Sequence, residues 1–335
     1  MEKVSIILPV YNAEEFLGEA IQSLLDQTFK DFELLIYNDG SIDQSDSVIK
    51  SFQDARIKYF SFESNTGLIH VLNTGLKQAS GRYILRMDAD DICEKDRIAK
   101  QVEFMDNHPE VGACGTQLKI VGTDQIIARP CLDNELRWWI FKSSPLAHPS
   151  VILRRSIITE HQLEFNTKAY VAEDFDLWWR MAFYTKLANL PDALLNYRLH
   201  PGQESSTKTE VQTNNHRKSL VEFMNVLGLD SGLYSPEFVV KMLNRDLELY
   251  PQNLYKSYNF FKALENSDSA IKFFTREDIK SKSIEIIGYQ MNNLVCFDSL
   301  SLKLFFDKSF RKIMRFNHIH PIIWGLKSIL NWKTR

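Results

Sequence analysis

The first hundred residues alternate between two hydrophobic periods, and this alternation constrains the fold more than any other feature of the chain. VSIILPVY is a continuous apolar run typical of a buried strand, and apolar residues then recur at helical spacing from Phe16 to Leu25. Three further strand-like runs, FELLIY, IKYFSF and RYILRMD, each follow a segment with helical spacing. Strand and helix in strict alternation predict an α/β fold with a mostly parallel sheet that helices cover on both faces.

Polar turns follow all four predicted strands. They comprise Pro9 to Asn12, then NDGS from Asn38, NTG from Asn65 and DAD from Asp88. The carboxyl ends of parallel strands meet at one edge of a sheet, and ligands of open sheets bind in the crevice outside that edge. The sequence therefore predicts one ligand site at these four strand ends.

Three carboxylates, Asp88, Asp90 and Asp91, close the fourth predicted strand. Residues two apart on a strand project to the same side, so Asp88 and Asp90 should face together with Ala89 turned away. Convergent carboxylates without a basic cluster favour Mg²⁺ or Mn²⁺, which take hard oxygen ligands. The alternative is that Asp90 or Asp91 caps the helix predicted to follow. Capping explains one of the three acids easily and all three poorly, so the residues favour a metal site and leave helix capping as the alternative.

Composition argues against several classes of protein. With 335 residues the chain is long enough for about two domains, and its formal net charge of -3 does not favour a nucleic-acid partner. Four cysteines without metal-binding spacing predict reduced thiols in a cytoplasmic protein. No run approaches the roughly 20 apolar residues needed to span a bilayer, so the chain should be soluble or held at a membrane surface. Neither GxGxxG nor a P-loop pattern occurs, which argues against dinucleotide enzymes and P-loop NTPases.

The pattern changes after residue 110. Two strands around a turn at Gly122, a short helix in NELRWWIFK, a strand in HPSVILRR and a helix in EDFDLWWRMAFY are predicted there. The segment 201–215 has almost no apolar residues and is typical of a linker or mobile loop. We therefore predict one domain over 1–205, with halves at 1–110 and 111–205, and a mainly helical region over 206–335.

Seven short motifs carry a resemblance to a known family. In chain order they are ILPVYN, NDGS, NTGLIHVLNTG, ASGRYILRMDADD, HPSV, EDFDLW and YRLH, between residues 4 and 200. In this order they resemble those of the inverting nucleotide-sugar glycosyltransferases of family 2. The resemblance implies the GT-A fold, which is Rossmann-like, and it leaves the C-terminal region unaccounted for. The family usually has two aspartates before the glycine of NDGS, and Asn38 stands in place of the first.

A donor site follows from the resemblance. The DxD motif of the family falls on Asp88 and Asp90, with Asp90 the direct ligand of Mn²⁺ or Mg²⁺. His200 matches a position that adds a further metal ligand or contacts the diphosphate. Asp91 is the acid left over, and we assign it to the start of the predicted helix. Asp39 matches the position that hydrogen-bonds the nucleobase, typically uracil. The residues implied to bind the nucleotide sugar are Pro9, Val10, Tyr11, Glu14, Asp39, Asn65, Gly67, Arg86, Asp88 and Ala89.

Several of these donor-site residues have structural alternatives. Glu14 also suits the first turn of a helix, where a carboxylate is favourable without any ligand. Asn65 and Gly67 suit a simple turn between strand and helix. Arg86 could pair with the nearby acids and not with a phosphate.

An inverting displacement also needs a base that takes the proton of the acceptor hydroxyl. The family's base motif falls on Glu173 and Asp174; the role is assigned to Asp174, and Glu173 is the second candidate. Acids in the first turn of a helix are also common for structural reasons. His148 matches the family without a firm role. Tryptophans at helical spacing favour core positions over stacking on a sugar, and they are Trp138, Trp139, Trp178 and Trp179.

The C-terminus is basic and aromatic. From Lys303 to Arg335 there are eight lysines and arginines against one acid, Asp307. Basic residues with aromatics on amphipathic helices suit the surface of an anionic membrane, here the inner face of the cell membrane beside a lipid-linked acceptor. The alternative is a helical cap or a homodimer contact with a solvated basic face.

The residues and the resemblance together predict a metal-dependent inverting glycosyltransferase. It would move a sugar from a nucleotide donor, a UDP-sugar, to a saccharide or lipid-linked saccharide acceptor in bacterial surface-polysaccharide synthesis. A sugar nucleotidyltransferase is the alternative with the same fold, but no glycine-rich basic phosphate loop follows the first strand. A non-catalytic nucleotide-sugar-binding protein is the other alternative, although binding alone would not need a placed base.

Overall fold

The computed structural model contains one mixed sheet. Its strands are β1 (Val4–Val10), β2 (Phe32–Asn38), β3 (Ile57–Ser61), β4 (Tyr83–Arg86), β5 (Ile92–Cys93), β6 (Val111–Ile120), β7 (Ile126–Ile127), β8 (Ile152–Arg154) and β9 (Lys186–Tyr197). Their order across the sheet is β3-β2-β1-β4-β8-β6-β9-β5, and β7 pairs with β6. The described residues are 3–203, 207–317, 324, 325, 327 and 328.

The first four strands run parallel, as the alternation of periods predicts. Ile7 pairs with Leu35 of β2 on one side and with Arg86 of β4 on the other. Beyond β4 the sheet is mixed, because β8 runs antiparallel to both β4 and β6, β9 parallel to β6, and β5 antiparallel to β9. The parallel part is the half that carries the four predicted strand ends.

Helices follow the strands at the expected places. In the first unit of the chain, Met1–Ser219, they are α1 (Leu17–Leu25), α2 (Ser45–Ser51), α3 (Leu68–Gln78), α4 (Arg97–Asn107), α5 (Asp133–Trp139), α6 (Arg155–Glu160) and α7 (Glu173–Met181). The apolar stripe of α1 is buried against the sheet, as its helical period predicts. Short 3₁₀ turns cover His148–Ser150 and Thr167–Ala169.

The region around the acids differs from expectation in two ways. The strand expected to reach Asp88 ends at Arg86, because pairing with β1 stops there, so Asp88 and Asp90 lie in the following turn. The prediction that alternation along a strand places them on one face is therefore wrong. The assignment of Asp91 to a helix start is also wrong, since β5 comes next and α4 begins only at Arg97.

The predicted linker over 201–215 is wrong from Thr209 onward, where helix α8 (Thr209–Val226) begins; residues 204–206 lie outside the described part of the chain. Packing explains the helix where periodicity does not. The ring of His216 lies 4.0 Å from that of Phe175, and Trp179 donates from Nε1 to Ser219 Oγ at 2.9 Å.

The second unit, Leu220–Arg335, is helical in its described part, as predicted for the C-terminal region. Its helices after α8 are α9 (Pro236–Asn244), α10 (Pro251–Glu265), α11 (Asp268–Phe273), α12 (Arg276–Asn292), α13 (Ser299–Phe306) and α14 (Lys308–Phe316). Phe260 and Phe261 are buried and meet edge to face at 5.4 Å. Among the described residues, no helix combines the length and apolarity that crossing a bilayer requires.

Candidate active site

Asp39 joins three of the loops that follow the parallel strands. Its amide donates to the carbonyl of Val10 at the end of β1, over 2.8 Å. Its carboxylate accepts from the amides of Thr66 and Gly67, both at 2.8 Å, and from the Thr66 hydroxyl at 2.6 Å. Asp39 is only 3 % exposed, so this carboxylate fixes the shape of the loop that carries Asn65 and Gly67.

Glycines allow the same loops to approach each other. Gly40 has φ of +69°, and a Cβ there would lie 2.5 Å from the carbonyl carbon of Ser64. Gly67 has φ of +91°, and no described atom lies within 4 Å of where its Cβ would be. The chain therefore needs a glycine at position 40 for close backbone contact, whereas Gly67 borders open space. Asn65, on the same loop as Gly67, is exposed.

Asn38 stands where the family usually has an aspartate, and its amide has a structural role. Its Oδ1 accepts from the Ser41 amide and its Nδ2 donates to the Tyr59 hydroxyl, both at 3.0 Å. Asn38 is buried, so these bonds hold the turn that presents Asp39.

The loop after β1 is tied to the loop after β2. Asn12 accepts from the Ile42 amide at 3.0 Å, and Glu14 accepts from the Gln44 amide at 2.6 Å. Glu14 thus has a loop-bridging contact in addition to its expected role toward the ribose. Nearby, Pro9 is half-buried and the ring of Tyr11 is 49 % exposed, which leaves the ring accessible to a ligand.

Asp88, Asp90 and Asp91 converge despite lying beyond the strand. Each offers a carboxylate oxygen, and these oxygens all lie within 4.8 Å of one another. Asp91 is fully buried; burial, together with the charges of Asp88 and Asp90, raises its pKa well above the ordinary value. Its Oδ2 has no hydrogen-bond partner. Sequence reasoning missed Asp91 as a member of this group because its burial arises from distant packing.

Arg86 compensates part of this negative charge. Its guanidinium is bidentate to Asp88, with Nη1 at 2.6 Å and Nη2 at 2.5 Å from the two carboxylate oxygens. Only the Asp88 side of the motif is neutralised in this way. Ala89, between the two motif aspartates, is 9 % exposed.

The end of β9 meets the acids from the opposite side. His200 Nε2 lies 2.9 Å from Asp90 Oδ2, so two of the predicted metal ligands are in contact. Arg198 donates from its amide to Asp91 Oδ1 at 3.0 Å and from Nε to the Asp90 carbonyl at 2.9 Å. Arg198 was missed as a site residue, although it lies in the YRLH motif.

These residues suit a divalent cation with hard oxygen preference. Three carboxylates converge, one of them offers a buried oxygen with no hydrogen-bond partner, and an imidazole lies at hydrogen-bond distance from another. A bound cation would also offset the repulsion among the acids.

A second group of residues lies around the start of α7. Asp174 lines a cavity of about 520 Å³ and accepts from the Ser144 hydroxyl at 3.0 Å. Glu173 is 5 % exposed, does not line that cavity, and has its Oε1 3.8 Å from His148 Nδ1. Burial, with a further contribution from the Arg86 charge, lowers the pKa of His148 well below its ordinary value, so its imidazole is neutral. Of the two candidate bases, Asp174 is the one that faces open space.

The tryptophans occupy the core and not a sugar platform, as their spacing favours. Trp178 is fully buried, Trp138 and Trp179 are each 7 % exposed, and Trp139 is half-buried.

Comparisons with known proteins agree with this architecture. The family described as Glycosyl transferase family 2 matches residues 5–158. An uncharacterized glycosyltransferase of Haemophilus influenzae is 34% identical over 245 residues, which cover 68% of this chain and 76% of the relative. The amylovoran biosynthesis glycosyltransferase AmsE of Erwinia amylovora is 30% identical over 202 residues, 58% of this chain and 75% of the relative. A longer uncharacterized glycosyltransferase of Rickettsia conorii is 30% identical, and the match covers 72% of this chain but 40% of that relative.

Solved structures give the same fold. S. aureus TarS 1-349 in complex with UDP-GlcNAc superposes with a TM-score of 0.58 at 21% identity, over 87% of this chain and 92% of TarS 1-349. The mannosyltransferase PcManGT of Pyrobaculum calidifontis, in complex with GDP-Man and Mn²⁺, gives a TM-score of 0.54 at 16% identity, over 98% of this chain and 87% of PcManGT. These likenesses confirm the expected GT-A fold.

Proposed function

This chain belongs to glycosyl transferase family 2, and from that premise we propose that it is a metal-dependent, inverting glycosyltransferase that uses a UDP-sugar. The acceptor is a saccharide or a lipid-linked saccharide of a bacterial surface polysaccharide. AmsE is an amylovoran biosynthesis glycosyltransferase and TarS 1-349 binds UDP-GlcNAc, and these relatives support a polysaccharide product and a UDP-sugar donor. The observation that carries the proposal is the convergence of Asp88, Asp90 and Asp91 at the end of a parallel strand.

The donor half, residues 1–110, would bind the nucleotide. Asp39, the loop that it fixes and the exposed Tyr11 would bind the nucleoside. Asp90, Asp88 and His200 would hold Mn²⁺ or Mg²⁺, which supplies positive charge to the diphosphate. Arg86 positions Asp88 through its bidentate contact.

The acceptor half, residues 111–205, would supply the base. The acceptor oxygen forms its bond to the anomeric carbon while the bond from that carbon to the diphosphate breaks, and Asp174 takes the hydroxyl proton. Asp174 suits this role because it lines a cavity large enough for a saccharide unit. The Ser144 hydroxyl, 3.0 Å away, positions the carboxylate.

The C-terminal unit supports a proposal of peripheral membrane contact. On α14 the basic residues Lys308, Lys312 and Arg315 are exposed while Phe310 and Met314 are buried, and Phe306 of α13 is 67 % exposed. Trp324, which the prediction also includes, is 3 % exposed and so does not belong to the surface. Eight further residues of the predicted surface lie outside the described part of the chain: Ile322, Ile323, Leu326, Ile329, Leu330, Trp332, Lys333 and Arg335.

A thermal-shift screen of nucleotide sugars with and without Mn²⁺ tests the proposed donor and metal. A UDP-sugar should raise the melting temperature, more so with Mn²⁺, because a ligand that binds the folded state stabilises it. A shift of the melting temperature with GDP-sugars alone would mean that the nucleobase of the donor is guanine and not uracil. No shift with any nucleotide sugar would overturn the proposal, and the anomeric configuration of the product, read by NMR, decides inversion.

A further inference from the structure

The cavity that contains Asp174 is rich in cationic and imidazole groups. Among the described residues that line it, Asp174 is the one carboxylate, whereas Arg129, Lys142, His148 and His216 also contribute to its wall. Burial lowers the pKa of both histidines, so both are neutral near pH 7. With one aspartate against one arginine and one lysine, the wall carries a net positive charge.

Arg129 is held in place by a buried side chain. Gln117 is 4 % exposed; its Oε1 accepts from the Arg129 amide at 2.6 Å and its Nε2 donates to the Arg129 carbonyl at 3.1 Å. Both backbone groups of Arg129 are therefore fixed by one side chain of β6. The guanidinium is fixed at one further point, where Nε donates to the Ser144 carbonyl at 3.3 Å.

The guanidinium of Arg129 nevertheless has a nitrogen without a hydrogen-bond acceptor. Its Nη1 is buried without a hydrogen-bond partner. The buried Arg154 is different, since it makes hydrogen bonds from all three nitrogens, including those to the carbonyls of Val111 and Met105. Arg154 therefore has a structural role, whereas Arg129 lines the cavity and has a guanidinium nitrogen without a hydrogen-bond partner.

A buried guanidinium nitrogen without a hydrogen-bond acceptor costs free energy, and a bound ligand that supplies an acceptor would remove this cost. Burial lowers the pKa of Arg129, and the charge of Asp174 opposes this only in part. A planar oxyanion matches the fork of a guanidinium better than a hydroxyl does. Ser144 lies between the two charged groups, because its carbonyl accepts from Arg129 and its hydroxyl oxygen is 3.0 Å from Asp174 Oδ2.

We propose that the acceptor carries an oxyanion, a sugar carboxylate or phosphate, that Arg129 binds while the reactive hydroxyl of the acceptor faces Asp174. The inference rests on the proposed function, since it assumes that this cavity receives the acceptor. It adds the chemical class of that acceptor, and it makes Arg129 a determinant of specificity.

The test measures binding of matched sugars by isothermal titration to the full chain with UDP and Mn²⁺ present. The neutral probes are methyl glycosides of glucose, galactose and mannose; each is paired with its C6 carboxylate and its 6-phosphate. At least one anionic member should bind about tenfold tighter than its neutral partner, as a charge-assisted hydrogen bond provides. If the C6 carboxylates show the preference, the oxyanion is a carboxylate; if the 6-phosphates show it, the oxyanion is a phosphate. Absence of any such preference in all three sets overturns the inference.

Variants tie the preference to this residue. Arg129→Gln should abolish it, Arg129→Lys should retain part of it, and Lys142→Gln, on the same wall, should reduce it less. A preference that survives in Arg129→Gln assigns the anion elsewhere and overturns the role of Arg129. Should Arg129→Gln not fold, the Arg129→Lys and Lys142→Gln comparison decides, and an equal loss in both contradicts a specific role. Binding of UDP with Mn²⁺ is measured in each protein, because its failure in the wild type counts against the proposed function and not against this inference.

Discussion

His200 Nε2 lies 2.9 Å from Asp90 Oδ2, although the two residues are 110 positions apart in the chain. The contact brings the end of β9 onto the turn after β4, and the ring of His200 packs on Phe16 with centroids 5.1 Å apart. Both side chains were predicted as metal ligands from their motifs. Their proximity means that a single cation could contact both without rearrangement of the sheet.

Replacement of Asp90 by asparagine tests the metal site. The variant retains the shape of the side chain but loses its charge, so the Mn²⁺-dependent part of UDP affinity should fall by more than about tenfold, since even outer partners of metal ligands contribute that much. Titration of UDP with and without Mn²⁺ measures it. Asp124→Asn, which alters a fully exposed carboxylate, is the matched control and should bind as the wild type does. An Asp90→Asn protein with the wild-type Mn²⁺ dependence would remove Asp90 from the site.

Asp174→Asn separates catalysis from donor binding. Transfer should fall by roughly 10² or more, as for a lost general base, while UDP affinity with Mn²⁺ stays unchanged. Glu173→Gln is the comparison, because Glu173 is buried beside His148 and does not line the cavity. Rates of UDP release with acceptor present measure both. If Glu173→Gln loses transfer and Asp174→Asn does not, the base is Glu173.

The parallel half of the fold follows from the sequence because its signals are local. A strand buried on both faces is a continuous apolar run, and the period of α1 shows which of its faces is buried. The order of β8, β6 and β9 has no such signal, since it depends on pairing between segments distant in the chain, such as Cys114 with Ile152. Sequence pattern specifies the strands there without specifying their neighbours.

The sequence predicts those residues of the site that belong to a recognisable motif. Asp88 and Asp90 were identified by a motif, but their convergence comes from a turn and not from strand alternation. Asp91 accepts a hydrogen bond from the Arg198 amide, and Gln117 accepts one from the Arg129 amide, so both residues are held by contacts between separate segments of the chain. No local pattern reports such contacts.

Gly40→Ala tests whether the nucleotide loops need close backbone contact. The added Cβ would meet Ser64 backbone at 2.5 Å, and φ of +69° is strained for alanine, so the variant should lose about 2 kcal/mol or more of stability and also bind UDP more weakly. Urea unfolding and UDP titration measure these effects. Gly122→Ala is matched, since φ there is +76° and no described atom lies within 4 Å of the new Cβ. It should cost about 1 kcal/mol from strain alone and leave UDP binding unchanged. Equal effects of the two variants on UDP binding would refute the contact argument.

Charge reversal on α14 tests membrane contact. Each basic residue near an anionic surface contributes about 1 kcal/mol, so reversing three should weaken binding to phosphatidylglycerol vesicles by roughly a hundredfold at low salt. Vesicle sedimentation measures it, and pure phosphatidylcholine vesicles should bind neither protein. The triple variant is Lys308→Glu, Lys312→Glu and Arg315→Glu; the control with the same change in charge is Lys77→Glu, Lys95→Glu and Lys168→Glu. Equal binding of both triple variants would favour the helical cap or homodimer contact, which size-exclusion chromatography then separates.

Glu33 makes the free energy of unfolding depend on pH in the acid range. Its carboxylate is 2 % exposed in β2; burial raises its pKa, but hydrogen bonds from Lys58, Ser5 and Ser80 lower it further, to about 2 from 4.5. Because the folded pKa lies below the unfolded one, the stabilisation is present above about pH 4.5 and is lost as the pH falls toward 2. The contribution is about 2 kcal/mol after allowance for the half-exposed Lys58.

Glu33→Gln should therefore be less stable than the wild type at pH 7 and should show a smaller loss of stability between pH 5 and pH 3. Urea unfolding at each pH measures both effects. Glu63→Gln, at an exposed position on the loop after β3, is the matched control and should follow the wild type throughout. An unchanged pH dependence in Glu33→Gln would mean that other carboxylates account for the acid sensitivity, and the next candidate is Asp106, where hydrogen bonds from Lys3 and Tyr83 outweigh burial and lower the pKa.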